Sequence, residues 1–278
     1  MTGASVRGKK IGIIGVGNIG ASILRGLLAA DEHVSEPVFI SDVRSERLES
    51  FTGEFKPRVL VCASNSEVAE RSDVILLAVK PQDVRAVLEG LAPVMGNDNL
   101  LISVAAGVST QTIERVLGAG KRVIRVMPNI GALIGESVTA LSKGTYADDT
   151  DEAVAKALLG AIGAVYTVKE RDIDIVTGLS GSGIAFFAAV IDAMAAGGVC
   201  EGLPRELALA IAAQTAQGAA RMVLAGTTPV ALQEMTASPG GTTMRGLYAM
   251  ETRNVKAAMM HAVSAATKRA RELSTSIE

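Results

Sequence analysis

Apolar positions follow two different patterns along this chain. Up to about residue 168, short β-branched runs recur, and each predicts a strand: Lys10–Gly15, Val38–Asp42, Val59–Cys62, Val74–Val79, Leu100–Ala105 and Val123–Met127, with fainter runs at Val138–Leu141 and Val165–Val168. Between them the spacing turns helical, as in Ile19–Ala30, Asp83–Leu91, Thr110–Leu117 and Asp151–Ile162. Strands that alternate with helices predict an α/β domain whose mostly parallel, doubly wound sheet is covered on both faces. After Glu170 the strand signal ends. From Asp172 to Thr275 the chain reads as helix, cut at Gly178–Gly183, Gly202–Pro204, Gly226–Pro229 and Ser238–Thr243. The expected organisation is an α/β domain over residues 1–168 and an all-helical domain over residues 169–278.

Composition narrows the picture. Apolar residues make up 49% of the chain but aromatic ones only 3%, with no Trp, so the core must be aliphatic. The net charge of −2 comes without blocks of like charge. That argues against nucleic-acid and membrane-surface partners, both of which want a basic face. Cys62 and Cys200 are too far apart to form a metal-ligand spacing and read as two buried, reduced thiols. A glycine-punctuated strand follows the N-terminal basic residues, where a signal peptide would carry a cleavage site. Residues 183–199 are strongly apolar, rich in Ala and Gly, and carry Asp192. They read as a buried helix, tightly surrounded and packed against a second subunit, rather than as a membrane span. A cytoplasmic protein is expected.

Candidate chemistry begins at the first strand, which runs into Gly15-Val16-Gly17-Asn18-Ile19-Gly20. This is G-x-G-x-x-G after a strand and opening a helix, the context that makes the motif a dinucleotide fingerprint. The glycines allow the tight turn, the approach of backbone to a pyrophosphate and the packing of helix on strand, and the helix N-terminus offers N–H groups to the phosphates. The second strand ends in Asp42, followed by Arg44 and Arg47. An acid here bonds the adenosine ribose of NAD, and an Arg accommodates the extra phosphate of NADP; with both present, the choice stays open, as does a plain helix-capping role for Asp42. Three more strand ends carry small or polar residues: Ala78-Val79-Lys80-Pro81, Ala105-Ala106-Gly107 and Met127-Pro128-Asn129. Strand carboxyl ends face the ligand crevice of such sheets. Ala106 and Gly107 leave room for a nicotinamide ribose, and Lys80 is either a site residue or a solvated lysine. His33 and His261, the two histidines, stand in no motif, and no metal site or nucleophile elbow is present.

These segments together resemble the pyrroline-5-carboxylate reductases over essentially the whole chain. The resemblance is carried by IGVGNIG (14–20), SDVILLAVKPQDV (72–84), SVAAGVS (103–109), RVIRVMPN (122–129), VTGLSGSG (176–183), GLPRELA (202–208) and, most specifically, SPGGTT (238–243). It implies a Rossmann domain, a helical domain that intertwines into a homodimer, and higher homo-oligomers up to a decamer. It implies reduction of 1-pyrroline-5-carboxylate to L-proline, the last step of proline biosynthesis, by NADPH, with NADH left open by Asp42. Carried over as cofactor contacts are Gly15, Val16, Gly17, Asn18, Ile19, Asn65, Ala78, Val79, Lys80, Pro81, Ala105, Ala106 and Gly107. Carried over as substrate contacts are Gly241, Thr242 and Thr243, with Ser180 and Ser182 nearby, and Thr243 is the candidate catalytic hydroxyl at the imine nitrogen.

The chain departs from the family pattern at MPNIGA (127–132), where MPNTPA is usual, at GSGIAF (181–186), where GSGPAY is usual, and at Thr228-Pro229, where His-Pro is common. Two rivals remain: a regulatory relative that binds dinucleotide without catalysis, and a reductase of a related cyclic imino acid. The β-hydroxyacid dehydrogenases share the general plan but need a lysine early in the helical half, and no lysine occurs between Glu170 and Val255. The SPGGTT break is read as a carboxylate cradle, its glycines baring backbone N–H groups and its threonines opening the next helix.

Overall fold

The computed structural model describes residue 6, residues 8–29 and residues 37–277. His33 and the Ala30 end of the first predicted helix lie outside the described residues. Among the described residues eight strands form: β1 (Ile11–Ile14), β2 (Val38–Ser41), β3 (Val59–Val61), β4 (Val74–Leu77), β5 (Leu100–Ser103), β6 (Arg122–Met127), β7 (Ser137–Lys143) and β8 (Gly163–Thr167). Six helices accompany them: α1 (Asn18–Ala29), α2 (Ser45–Phe55), α3 (Asn65–Arg71), α4 (Val84–Leu91), α5 (Thr110–Leu117) and α6 (Asp149–Leu159). Each predicted strand is present, most of them shorter by a residue or two at the end where the chain turns into a loop.

The strands make one sheet in the order β3-β2-β1-β4-β5-β6-β7-β8. Every neighbouring pair is parallel except β6 and β7. The link over residues 128–136 is too short for the crossover that parallel partners require, so the chain must reverse there. Strand order runs outward in both directions from β1 and β4, which makes the crevice at their carboxyl ends the switch point of the sheet.

The alternation of side chains divides the core between two faces. Ile11, Ile13 and Leu76 pack with Ile23, Leu24 and Leu27 of α1 and Leu158 of α6. Ile14, Ile75 and Leu77 pack on the other face with Val68 of α3, Leu88 of α4 and Ile113 of α5. Both faces being covered explains why the strands read as continuous apolar runs rather than as alternating ones.

The tail consists of α7 (Ile173–Val176), α8 (Gly183–Cys200), α9 (Arg205–Leu224), α10 (Pro229–Thr236), α11 (Thr242–Thr252) and α12 (Val255–Ile277). The interruption expected at Gly178–Gly183 is instead a π-helical turn, Thr177–Gly181, through which the helix continues. Glycine at 178 answers to packing, because a Cβ there would strike Thr267 of α12. A break not foreseen separates α11 from α12 at Asn254, whose φ of 54° is left-handed. Asn is among the few residues that accept this conformation, and its side chain leaves little trace in an apolar pattern.

The chain divides into two compact units. The first holds residues 1–181 together with residues 266–278; the second holds residues 182–265. In the first, the last helix is tied back to the start of the tail: Ser274 Oγ donates to Asp174 Oδ1 at 3.1 Å. Arg125 of β6 pairs with Glu170 at 3.4 Å and Asp174 at 3.7 Å. Glu170 also accepts from Thr110 N and Oγ1, both at 2.7 Å, at the start of α5.

The second unit is built differently. Within it α8 and α9 meet through Ala195, Ala208 and Ala212, with Ile191 beside them, and Arg205 pairs with Asp192. Small side chains let the helices approach but give little apolar mass. Of α8, only Gly183 and Ala195 are buried, while Phe187 is 64% and Met194 52% exposed. Within this chain α8 is therefore left largely uncovered: an apolar run signals a need for cover without saying which chain supplies it. Cys62 is buried as expected, but Cys200, at the end of α8, is exposed. Among the described residues, two helical stretches, Glu170–Cys200 and Arg205–Leu224, are long and apolar enough to cross a membrane by length and composition.

Candidate active site

The glycine loop sits at the switch point. Gly15 N donates to Ser41 O and Ala78 N to Ile14 O, both at 2.8 Å, so the loop is pinned between the ends of β2 and β4. Gly15 has φ +92°, and a Cβ on it would lie 2.6 Å from Ala78 O, so no other residue fits. A Cβ on Gly20 would strike Gly15 O, which is how α1 comes to lie directly on the loop. At the α1 N-terminus, Ala21 N is the first amide to bond back, to Gly17 O at 2.8 Å. Among the described residues, the N–H groups of Gly17, Asn18 and Ile19 have no acceptor, and they gather where the helix dipole is positive. A cavity of about 630 Å³ opens beside them, lined by Val16, Gly17, Asn18, Ser22, Arg25 and Arg47 among others. This bare backbone cradle fits a dinucleotide pyrophosphate.

At the end of β2, Asp42 faces inward. Its Oδ2 accepts from Val16 N at 2.8 Å and its Oδ1 from Arg44 N at 2.9 Å. Arg47 approaches the same carboxylate at 3.4 Å. The helix-cap alternative is not met: Arg44 is the N-cap of α2 and has no side-chain cap bond, while Asp42 bonds Arg44 N just before the helix and reaches back to the glycine loop. The Arg44 side chain is exposed. Asn65 opens α3, and its Oδ1 accepts from Ser41 Oγ at 2.8 Å, which sets it beside the β2 end.

The remaining strand ends lie along the same edge of the sheet. Ala78 and Val79 are half-buried, Lys80 is exposed, and Pro81 starts a 3₁₀ turn, Pro81–Asp83, that fixes the direction of Lys80. Ala105 is buried, Ala106 exposed, and Gly107 has φ +77°. At the end of β6, Asn129 is a four-way junction. Its N–H bonds Ser137 Oγ at 3.2 Å, and its Oδ1 accepts from Gly131 N at 3.0 Å and Val138 N at 3.4 Å. Its Nδ2 donates to Ser180 Oγ at 2.8 Å, fastening the π turn to the sheet. The sequence marked Asn129 and Ser180 separately; their bond, across 51 residues of chain, leaves no local signal.

In the helical unit, the SPGGTT segment forms a tight turn between α10 and α11. Gly241 N donates to Ser238 O at 2.9 Å, and Gly240 has φ +70°. Gly241 caps α11 without a side-chain hydrogen bond. The N–H groups of Thr242, Thr243 and Met244 thus have no acceptor among the described residues, and Arg245 N is the first to bond back, to Gly241 O. Thr242 is exposed and Thr243 half-buried. Ser180 belongs to the first unit, whereas Ser182, Gly241, Thr242 and Thr243 belong to the second. His261, on α12, is exposed. No group of metal-ligating side chains occurs among the described residues.

Comparison with known proteins fits both halves. A family profile described as pyrroline-5-carboxylate reductase dimerisation matches residues 170–273. Another, described as NADP oxidoreductase, coenzyme F420-dependent, matches residues 10–107. The pyrroline-5-carboxylate reductase of Methanosarcina acetivorans is 41% identical over 266 residues, covering 95% of this chain and 98% of that one. This chain belongs to the pyrroline-5-carboxylate reductase family. Solved structures of family members agree. That of Coxiella burnetii is 32% identical with a TM-score of 0.90, covering 95% of this chain and 98% of that one. That of Plasmodium falciparum, solved with NADP bound, is 29% identical with a TM-score of 0.82, covering 96% and 98%. As a member of this family the chain has a Rossmann-type sheet and the family's helical dimerisation region.

Proposed function

We propose that this chain reduces 1-pyrroline-5-carboxylate to L-proline with NADPH or NADH, as the last step of proline biosynthesis. The observation that carries the reading is the pairing, on one chain, of a bare N–H cradle at Gly17–Ile19 with an uncapped α11 start at Thr242 and Thr243. The first suits a dinucleotide phosphate and the second a small carboxylate. Identity of 41% to a named reductase over 95% of the chain supports it.

In this reading residues 1–168 serve the cofactor, and residues 169–278 serve substrate binding and dimerisation. Gly15 to Ile19, Asp42, Arg44 and Asn65 serve the phosphate and adenosine end. Ala78 to Pro81 and Ala105 to Gly107 serve the nicotinamide end, where Ala106 and Gly107 allow close approach. The bound cofactor supplies hydride to the imine carbon. The chain's own task is to hold that carbon in place and to neutralise the substrate carboxylate. The α11 N–H groups and Gly241 receive the carboxylate, and Ser180 and Ser182 are the further candidates for substrate contact. The Thr243 hydroxyl bonds the imine nitrogen, which carries its proton into the product amine.

The uncovered apolar faces of α8 and α9 support a homodimer in which a second copy, not lipid, supplies the cover. The ion pair of Asp192 with Arg205 on these helices favours a protein neighbour. The cytoplasm is the fitting compartment, with no nucleic-acid partner. The test is turnover of 1-pyrroline-5-carboxylate, following oxidation of NADPH and of NADH in parallel. Proline formation with either supports the reading. Cofactor binding without turnover of this or a related cyclic imine would replace it with the regulatory one.

A further inference from the structure

We infer that Arg47 is the side chain that takes a phosphate of the dinucleotide, and that Asp42 is its positioning residue. This rests on the chain being a dinucleotide-dependent reductase. Four observations carry it. A Cβ on Gly17 would lie 3.2 Å from Arg47 Nη1, so the guanidinium stands over the bare backbone of the glycine loop. Arg47 lines the 630 Å³ cavity together with Gly17 and Asn18, and among the described residues no acidic side chain lines it. The cavity's other basic residue, Arg25, is already engaged: it makes two bonds to Glu54, at 2.7 and 2.8 Å, and lies 5.0 Å from the Phe51 ring centre. Among the described residues the Arg47 side chain has one partner, Asp42, at 3.4 Å, longer than the carboxylate's two backbone bonds.

Asp42 thereby takes a role other than ribose acceptor. Its side chain is only 5% exposed, and both its oxygens are turned to donors of the protein. It ties the loop to the β2 end and holds Arg47 above that loop. A guanidinium presents five donors in a planar fork, so the long bond to Asp42 leaves most of them free for phosphate oxygens. The phosphate is either the 2′-phosphate, present only in NADPH, or the diphosphate, common to both cofactors.

The test is equilibrium binding of NADPH and NADH to the full chain, without substrate, for the unsubstituted protein, Arg47→Gln and Arg47→Lys. Arg85→Gln, on the exposed surface of α4, controls for loss of one positive charge. Arg47→Gln is expected to weaken binding at least tenfold at an unchanged melting temperature, and to flatten the dependence of Kd on salt. Arg47→Lys is expected to fall between, keeping the charge but losing the fork. Weakening confined to NADPH identifies the 2′-phosphate; equal weakening of both identifies the diphosphate. Binding of both within twofold of the unsubstituted chain, or weakening matched by Arg85→Gln, overturns the inference. Because no arm needs turnover, a chain that binds cofactor but fails to reduce 1-pyrroline-5-carboxylate sinks the proposed reaction and leaves this inference standing. Failure of the unsubstituted chain to bind either dinucleotide sinks both.

Discussion

The sheet unit and the helical unit solve the same problem with opposite resources. In the first, β-branched strands are sealed on both faces, so that Ile11, Ile13, Leu76 and Leu77 have essentially no exposure. In the second, three buried alanines form the shared core and side chains as large as Phe187 and Leu224 face outward. Both units are apolar, yet only one has enough bulk turned inward to close a core on itself. Apolar content and self-sufficiency are thus separate properties, and the functions proposed above divide along the same line: in that reading the sheet unit presents backbone to a cofactor, and the helical unit a helix start to a substrate.

The contrast can be broken most sharply at α8. Phe187→Asp would put a carboxylate into the proposed interface between copies, and an unpaired buried charge costs several kcal/mol, about 3–5. Sedimentation should then show dissociation at concentrations where the unsubstituted chain is associated, with the sheet unit still folded by circular dichroism. Unchanged association would remove α8 from the interface. Leu76→Ala makes the opposite cut. It leaves a cavity in the central strand and should lower unfolding free energy by about 2–5 kcal/mol in urea titrations, at any protein concentration.

Two smaller effects sharpen the division of labour. Thr243→Ala should reduce kcat/KM for 1-pyrroline-5-carboxylate by about 1–3 kcal/mol through a lost polar contact. Cofactor affinity should stay the same, and unchanged kinetics would take Thr243 out of the mechanism. Glu152, on α6 of the sheet unit, accepts from Thr167 Oγ1 at 2.5 Å and pairs with Lys156 at 2.7 Å and Lys143 at 3.3 Å. The bond from Lys156, then that from Thr167, draws its carboxyl from the usual 4.5 down to about 2. A depressed value means the stabilisation is complete above about pH 4.5 and is lost as pH falls toward 2. After a discount for partial exposure, it amounts to about 1–2 kcal/mol. Glu152→Gln should flatten the stability profile in that window and leave it unchanged at neutral pH apart from a constant offset; an equally steep profile would assign the acid sensitivity elsewhere.

How far the sequence could be read follows from the same contrast. Strands β1, β2, β4, β5 and β6 were legible because each is a sealed apolar run, while the edge strands β3 and β8, largely exposed, were read from their β-branched residues; α5 was bounded correctly at Thr110 and Leu117 because its amphipathic face is strong. The glycine loop was legible because backbone geometry there tolerates no side chain. Less visible was anything that depends on a partner distant in sequence. Asn129 meets Ser180, Arg125 meets Glu170 and Asp174, and Asp42 meets Val16, all pairings that the fold creates. The exposure of Cys200 escaped for a related reason, since hydrophobicity does not say whether cover comes from the same chain. The π turn after Val176 escaped because its glycines spell a break, whereas Gly178 is there to admit Thr267.

The fastening of α12 to Asp174 has a topological consequence. The helical unit leaves the sheet unit after Gly181 and the chain comes home at Ala266, so it is an excursion with two feet, not an appendage. A protease that nicks the turn at Ser238 would therefore release nothing, because both fragments keep a foothold. A chain shortened before residue 266 would lose part of the sheet unit, although the excised residues lie at the far end of the sequence. Permuted chains are best opened at the α9–α10 turn, where Gly226 already bends the backbone with φ +103°.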